Sequence, residues 1–273
     1  MYQITMTYAF WKNQMTTKRS VFEVFFRKNP FGGEFTVFAG LYDCLEFLKS
    51  FHYTEDDIAY IKSILPDSVE EEFFDYFRNI SSNELVVYSM KEGSIAFPKE
   101  PLIRFEGPLP VCQLLETTIL TLVNYASLVA TNAARYRLAI ENKENVLLYE
   151  FGLRRSQGPD GGLSASKYTY VGGFDGTSNL LAGKMFNIPV KGTHAHSFIM
   201  SHMSKIPTSK QYSLVSRKNG ETIDLLSIAQ NYKKFLDGST IEIEKAGIVK
   251  IEASEMNSYE LVNWIDLSFL IFF

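Results

Sequence analysis

The chain has 273 residues, 46% hydrophobic and 14% aromatic, enough apolar material for a sizeable core, which favours a folded chain over a disordered one. A formal charge of −4 gives no nucleic-acid footprint, although a local arginine cluster can bind small anions inside an acidic protein. The two cysteines, Cys44 and Cys112, lie in apolar helical-looking stretches; they cannot build a disulfide framework or a zinc site and read as reduced, buried thiols of the cytosol.

Met1 to Met6 lacks a basic segment and a small-residue cleavage site, so no signal peptide is expected. No internal repeat or low-complexity tract follows. Ser20 to Arg27, rich in β-branched and aromatic residues, predicts a strand, punctuated by Asn29-Pro30-Phe31-Gly32-Gly33. Leu41, Cys44, Leu45 and Leu48 recur at helical spacing, so a helix follows Gly40. Ser68 to Phe77 predicts another, with Glu70, Glu71 and Glu72 favourably placed at its start. Leu85 to Tyr88, Ser94 to Phe97 and Leu102 to Glu106 are short strands, together suggesting an antiparallel sheet with helices on one side.

Val111 to Ile140 is the longest periodic segment and predicts a helix or helix pair crossing between domains. Val146 to Phe151 is a buried strand by composition. Ser178 to Phe186 is expected to be helical, Ile188 to Val190 a short strand, and Ser197 to Met203 a helix. That β-α-β-α order opens a parallel α/β layer or barrel without closing it. Ile223 to Leu236 and Ser254 to Ile265 are the last expected helices. Ile265 to Phe273 is apolar, but far short of the ~20 residues that span a bilayer. It also carries Asp266, and reads as a helix end or an aberrant tail rather than an anchor.

Three segments have compositions that a core does not explain. Phe151-Gly152-Leu153-Arg154-Arg155-Ser156-Gln157-Gly158-Pro159-Asp160-Gly161-Gly162 is a glycine-rich loop directly after a strand. Adjacent arginines there suit an anion, because guanidinium forks grip phosphate oxygens and glycines let backbone N–H groups approach. Strand C-terminal ends are also where α/β folds bind ligands. A solvated surface loop is the plain alternative, and no Gly-Lys-Ser/Thr ends it, so it is not a P-loop. Gly172 to Asn179 is a small-residue turn into a helix; Thr177 and Ser178 could hold a carboxylate or phosphate, or simply serve as an N-cap. Gly192-Thr193-His194-Ala195-His196-Ser197 holds two of the four histidines. No carboxylate or cysteine at familiar spacing joins them, so no metal ligand is assigned. A nucleophilic or general-base histidine and a hydrogen-bonded loop pair both remain open. His52 and His202 read as structural or surface residues.

These segments, in this order and spacing, resemble nicotinate phosphoribosyltransferases. So do Phe25 to Gly33 and Val123 to Arg135, and the likeness runs from about Tyr2 to Trp264. The resemblance implies an enzyme of NAD biosynthesis. Such enzymes form nicotinate mononucleotide and pyrophosphate from nicotinate and phosphoribosyl pyrophosphate, with ATP hydrolysis and Mg²⁺. It implies an α/β fold: an α+β N-terminal sandwich domain followed by the first part of an irregular β/α barrel, working as a cytoplasmic homodimer without nucleic-acid or membrane partners. The domains expected are 1–140, 141–264 and a divergent tail at 265–273.

By the same resemblance, Tyr2 contacts the pyridine ring, from the neighbouring subunit of a dimer. Phe151 stacks on the ring's other face. Arg154 binds phosphate or carboxylate, supported by Arg155, and Thr193 contacts nicotinate. His196 is the histidine phosphorylated by ATP, with His194 secondary. Ser178 stands where nicotinamide-specific relatives carry an aspartate, which favours the acid over the amide. After Trp264 the family pattern is no longer followed. The resemblance places an Arg-Ile-Asp-Ser-Gly-Asp motif and a Gly-Thr-Ser phosphate loop with the later barrel strands, in the part of the family pattern that this chain is expected to lack. The expectation is therefore a C-terminally truncated chain. An inactive fragment that associates with full-length subunits is one alternative, and a nicotinamide phosphoribosyltransferase is another.

Overall fold

The computed structural model describes residues 1–140, 146–201, 213–215 and 219–224. They fall into two units, Met1–Lys191 and Gly192–Phe273.

The first unit opens with helix α1 (Tyr2–Lys12), which the sequence reading did not anticipate. Strand β1 (Arg19–Val24) ends sooner than expected, and a single 3-10 turn at Pro30–Gly32 follows. Then come β2 (Thr36–Val37), α2 (Leu41–Ser50), α3 (Glu55–Ile64) and α4 (Glu71–Arg78). Helix α3 is set by a capping box. The Thr54 hydroxyl accepts from the Asp57 backbone N–H at 3.1 Å, and the Asp57 carboxylate accepts from the Thr54 N–H at 2.8 Å. Three strands follow: β3 (Val86–Ser89), β4 (Ile95–Ala96) and β5 (Ile103–Pro108).

The expected antiparallel pairing is present but divided between two sheets. One has the order β1-β5-β3; the other pairs β2 with β4. Helix α5 (Leu109–Ala139) lies against both and closes the second, very short sheet. Its buried Thr131 hydroxyl accepts from the Val37 N–H at 2.9 Å, and its Ser127 hydroxyl accepts from the Ala39 N–H at 3.1 Å. Those hydroxyls satisfy backbone donors that no neighbouring strand reaches. By length and composition α5 is apolar enough to cross a bilayer. Part of its apolar surface packs against α1, α2, β1, β2, β5 and the later helix α6 (Gly158–Val171).

The principal core is aromatic. Phe38, Phe73 and Phe77 are fully enclosed, joined by Phe74, Ile58, Ile103, Leu115 and Ile119. A polar cap closes its α1 edge. The Tyr8 hydroxyl donates to the Glu70 carboxylate at 2.7 Å, and Lys12 pairs with its other oxygen at 2.5 Å. Those two bonds, Lys12's first, hold the Glu70 carboxyl down to about 2.

After α5 the order is β6 (Tyr149–Glu150), α6, β7 (Gly176–Thr177) and α7 (Leu180–Phe186). Strands β6 and β7 are parallel, and Val190 adds a parallel bridge to Thr177. This is a parallel α/β layer, with no closed barrel among the described residues. Three expectations change here. The segment Val146 to Phe151 is not a buried strand. It pairs over two residues only, and Leu147 is 57% exposed, because β7 is its only strand partner among the described residues. The second strand is Gly176–Thr177, read from sequence as a turn, whereas Ile188 to Val190 contributes one bridge. The glycine-rich stretch is not loop throughout: from Gly158 it is helix α6, started by Pro159 in the first turn, where a missing N–H costs nothing.

The layer is fastened to the N-terminal elements through Lys167, whose ammonium pairs with Asp43 of α2 at 2.6 Å. The same ammonium stands about 5 Å from the rings of Tyr42, Tyr168 and Phe186. The Tyr168 hydroxyl donates to the second Asp43 oxygen. Burial, followed by this bond to a carboxylate, raises the Tyr168 phenol far above its usual range.

The second unit contributes helix α8 (His196–Ser201), close to the expected span, and a hairpin of β8 (Ser213–Val215) with β9 (Thr222–Asp224). The helix expected from Ile223 is corrected at its start, since Ile223 pairs with Leu214 across that hairpin. The remainder of that segment, the helix expected at Ser254 to Ile265, and the tail lie outside the described residues, as does His202.

Candidate anion site at the ends of the parallel strands

Parallel pairing places the ends of β6 and β7 side by side, with Tyr149 opposite Gly176 and Glu150 opposite Thr177. The chain leaves both strands on the same side. After β6 it runs through Phe151 and Gly152 into a 3-10 turn at Leu153–Arg155, then into α6. After β7 it runs through Ser178 into α7. The Ser178 N–H donates to the Glu150 carbonyl at 3.0 Å. Ser178 therefore stands beside the start of the arginine turn, with its side chain half-buried and, among the described residues, without a hydrogen-bond partner. The structure thus brings together Phe151, Arg154, Arg155 and Ser178, four of the residues expected to form a site.

Arg154 and Arg155 are exposed, and among the described residues neither guanidinium makes an ion pair or hydrogen bond. Arg137, beside this layer, is by contrast committed. Arg137 donates to the Gly173 carbonyl at 2.8 Å and pairs with Asp175 at 2.5 Å. Burial pushes the Asp175 carboxyl upward. The Leu148 N–H and Arg137 outweigh it and leave the carboxyl below its usual range. Two free guanidiniums at the mouth of an α/β layer have the charge and geometry for a phosphate or carboxylate. Helix α6 begins just behind them without a side-chain cap on its first N–H groups. Phe151 is 42% exposed and lies parallel to Tyr149, with ring centroids 6.0 Å apart and planes 13° apart. That stack leaves an aromatic face open to a flat heterocycle.

The expected cap of α7 needs correction. Neither Thr177 nor Ser178 holds that position. Asn179 does, its side-chain oxygen accepting from Leu181 and Ala182 at 3.2 and 3.3 Å. Thr177 turns inward and accepts from the Asn179 N–H at 3.0 Å.

Tyr2 sits elsewhere in the first unit. Its hydroxyl meets the Thr117 hydroxyl of α5 at 3.1 Å, and no hydrogen bond or ring contact joins it to the strand ends. It is 53% exposed, and its partner Thr117 lines a cavity of about 480 Å³ together with Phe25, Phe26, Lys28, Leu120 and Asn124 among others. Thr193, His194 and His196 belong to the second unit. Thr193 and His196 are exposed, and His196 is the first residue of α8. His194 is half-buried, its ring 6.4 Å from that of Phe198, with its Nδ1 enclosed and without a hydrogen-bond partner among the described residues. Among the described residues no three His, Cys, Asp or Glu side chains cluster in a way that could hold a metal.

Sequence reasoning missed Glu150, which lies directly beneath the arginine turn. Its signal was faint: one carboxylate at the end of an otherwise apolar run.

A pair of parallel strands with an open, arginine-bearing turn at their ends has the form of the ligand-binding end of an α/β layer. Comparison with known proteins makes the class specific. Residues 1–124 match the nicotinate phosphoribosyltransferase (NAPRTase) N-terminal domain. The chain is 55% identical over 236 residues to a nicotinate phosphoribosyltransferase of Caenorhabditis elegans, covering 86% of this chain and 41% of that protein. It is 48% identical over 231 residues to the human enzyme of that name, covering 84% and 42% respectively. A crystal structure of human nicotinic acid phosphoribosyltransferase superposes with a TM-score of 0.74 at 41% identity, over 98% of this chain and 52% of that one. Over most of its own length the chain is similar to nicotinate phosphoribosyltransferases. It spans about two fifths of the length of the curated relatives it matches.

Proposed function

We propose that the chain serves nicotinate phosphoribosyl transfer in NAD biosynthesis. In that reaction nicotinate and phosphoribosyl pyrophosphate yield nicotinate mononucleotide and pyrophosphate, with ATP hydrolysis. The observation that carries this reading is the pair of arginines, Arg154 and Arg155, unengaged among the described residues at the joined ends of β6 and β7, in a chain similar to nicotinate phosphoribosyltransferases.

The transfer makes modest covalent demands on a protein. The pyridine nitrogen attacks the anomeric carbon as the bond to pyrophosphate breaks, through a state with cationic character on the sugar. Catalysis then rests on holding the ring in line and neutralising phosphate charge. Arg154, with Arg155 beside it, is assigned to a phosphate or carboxylate group. Phe151 is assigned to one face of the pyridine ring, and Tyr2, from the neighbouring protomer of a homodimer, to the other. Thr193 is assigned to nicotinate and His196 to the phosphoryl group of ATP. The domain division at 140/141 belongs to the same proposal, as does a cytoplasmic setting. Mg²⁺ is expected with these substrates, but the described residues do not fit a metal site, and no step is assigned through it.

The test uses pyrophosphate as probe and turnover as arbiter. The chain is expected to bind pyrophosphate, with Arg154→Ala weakening the affinity at least tenfold by calorimetry. Formation of nicotinate mononucleotide by the pure chain supports the full reading. Pyrophosphate binding without turnover supports the alternative, a ligand-binding piece that depends on full-length partners. Equal affinity in the wild type and Arg154→Ala overturns the site.

Ser178 is assigned to substrate choice. A serine hydroxyl can donate to the carboxylate of nicotinate, whereas an aspartate would repel it and accept from an amide instead. In a full-length relative, the variant equivalent to Ser178→Asp is expected to raise KM for nicotinate tenfold or more. Unchanged nicotinate kinetics in a competition assay against nicotinamide would count against the assignment.

A further inference from the structure

Beneath the arginine turn lies a carboxylate that the reading above leaves unused. Glu150 is the last residue of β6. One of its oxygens accepts from the Gly152 backbone N–H. The other accepts from the Ser166 hydroxyl of α6 at 2.9 Å and from the Thr177 hydroxyl of β7 at 2.7 Å. A single side chain thus ties together a strand, the turn after it, the following helix and the neighbouring strand. Its donors are fixed in turn. Ser166 and Thr177 are each 1% exposed, and Asn179 donates to Ser166 at 3.2 Å through its side chain and to Thr177 at 3.0 Å through its backbone.

The turn has little room to move within this frame. A Cβ on Gly152 would lie 3.2 Å from the Glu150 carboxylate, close enough to press on it. On the other flank, a Cβ on Gly162 of α6 would lie 2.5 Å from the Leu153 side chain. The backbone from Gly152 to Arg155 is therefore held from below by Glu150 and from the side by α6. The charges are arranged just as pointedly. Glu150 lies within five residues of two arginines, yet its lone pairs are turned inward onto two hydroxyls and one amide. Three donors satisfy the half-buried carboxylate, and it does not neutralise Arg154 or Arg155.

The geometry points to Glu150 as a positioning residue for the anion site, one that sets the Gly152–Arg155 turn so that the two guanidiniums are presented to a ligand instead of to the protein's own carboxylate. This inference rests on Arg154 as the anion ligand. Preorganisation of this kind lowers the ordering cost of binding and appears as affinity.

Two measurements on the whole chain test it. In the first, exchange of the Gly152 amide hydrogen is followed by NMR; Glu150→Ala is expected to speed it at least tenfold, and Glu150→Gln, which keeps one acceptor oxygen, to speed it less. In the second, pyrophosphate affinity is measured by calorimetry on protein whose circular dichroism matches wild type. Glu150→Ala is expected to weaken binding about tenfold with both arginines intact, and Glu150→Gln to restore most of the loss. If Glu150→Ala does not fold, Ser166→Ala takes its place, with a smaller expected weakening. Folded Glu150→Ala, or folded Ser166→Ala in its stead, with unchanged Gly152 exchange and an affinity within twofold of wild type overturns the proposal. A wild-type chain that fails to bind pyrophosphate overturns the arginine site, and Glu150's hold on the turn is then decided by the exchange rates alone.

Discussion

Phe73→Ala is expected to destabilise the chain by roughly 3–5 kcal/mol, the usual cost of deleting an enclosed phenylalanine. Phe73 has no exposed surface. Its ring meets Tyr8 and Trp11 of α1 edge-on, at centroid distances of 5.0 and 5.8 Å, and meets Phe77 of its own helix at 4.9 Å. Such aromatic pairs add specific attraction beyond the area they bury. The site cannot collapse onto the gap cheaply, because Phe74, Phe77 and Ile58 around it are themselves enclosed and fixed by packing. Urea unfolding followed by tryptophan fluorescence measures the effect, since Trp11 reports on this cluster. Phe25→Ala provides the contrast: that ring is 47% exposed, and its loss is expected to cost about 0.5 kcal/mol or less. Equal midpoints for the two variants would show that α4 is not anchored on α1 through Phe73. The consequence reaches the first residues, because α1 carries Tyr2 on its N-terminal turn and packs along α5.

What sequence revealed and what it hid separate along physical lines. Helices α2, α4 and α5 were legible because their apolar residues recur at helical spacing and bury one face, as Cys44 and Leu48 do on α2. Helix α1 was not, since its residues are apolar on most sides. Its one fully enclosed residue is Thr7, whose hydroxyl bonds back to the Gln3 carbonyl at 2.8 Å. Helix α6 contradicts local propensity: Gly158, Pro159, Gly161 and Gly162 in its first turns argue for a loop. Close packing of Gly162 on the Leu153 and Ser156 side chains overrides them. The two-residue strands β6 and β7 are too short to show any period, and parallel pairing supplies what the pattern lacks. In the site, Arg154, Arg155 and Ser178 could be named because the order strand, small-residue turn, helix is written locally. Glu150 could not. Its side-chain partners Ser166 and Thr177 are 16 and 27 residues away, and no local pattern links a carboxylate to hydroxyls at those separations.

His196→Ala is expected to abolish transfer of the γ-phosphoryl of ATP to the protein, whereas His194→Ala is expected to retain it. The two histidines are two residues apart but differ in surroundings. His194 is half-buried near Phe198, and its Nδ1 is enclosed by protein, which withdraws that one nitrogen from attack. His196 is exposed at the first position of α8. In the proposed step an imidazole nitrogen attacks the γ-phosphorus, the bond to the bridging oxygen of ADP breaks, and a phosphohistidine forms. The nitrogen must be neutral and open to an in-line approach, which an enclosed nitrogen cannot offer. Incubation with γ-labelled ATP, followed by acid treatment, measures the outcome: a phosphoramidate loses its label in acid, while phosphoserine and phosphothreonine keep theirs. Acid-labile label in the wild type and His194→Ala, with none in His196→Ala, is the expected pattern. Label that survives His196→Ala would move the phosphoryl acceptor elsewhere, and label lost only in His194→Ala would exchange the roles of the two histidines.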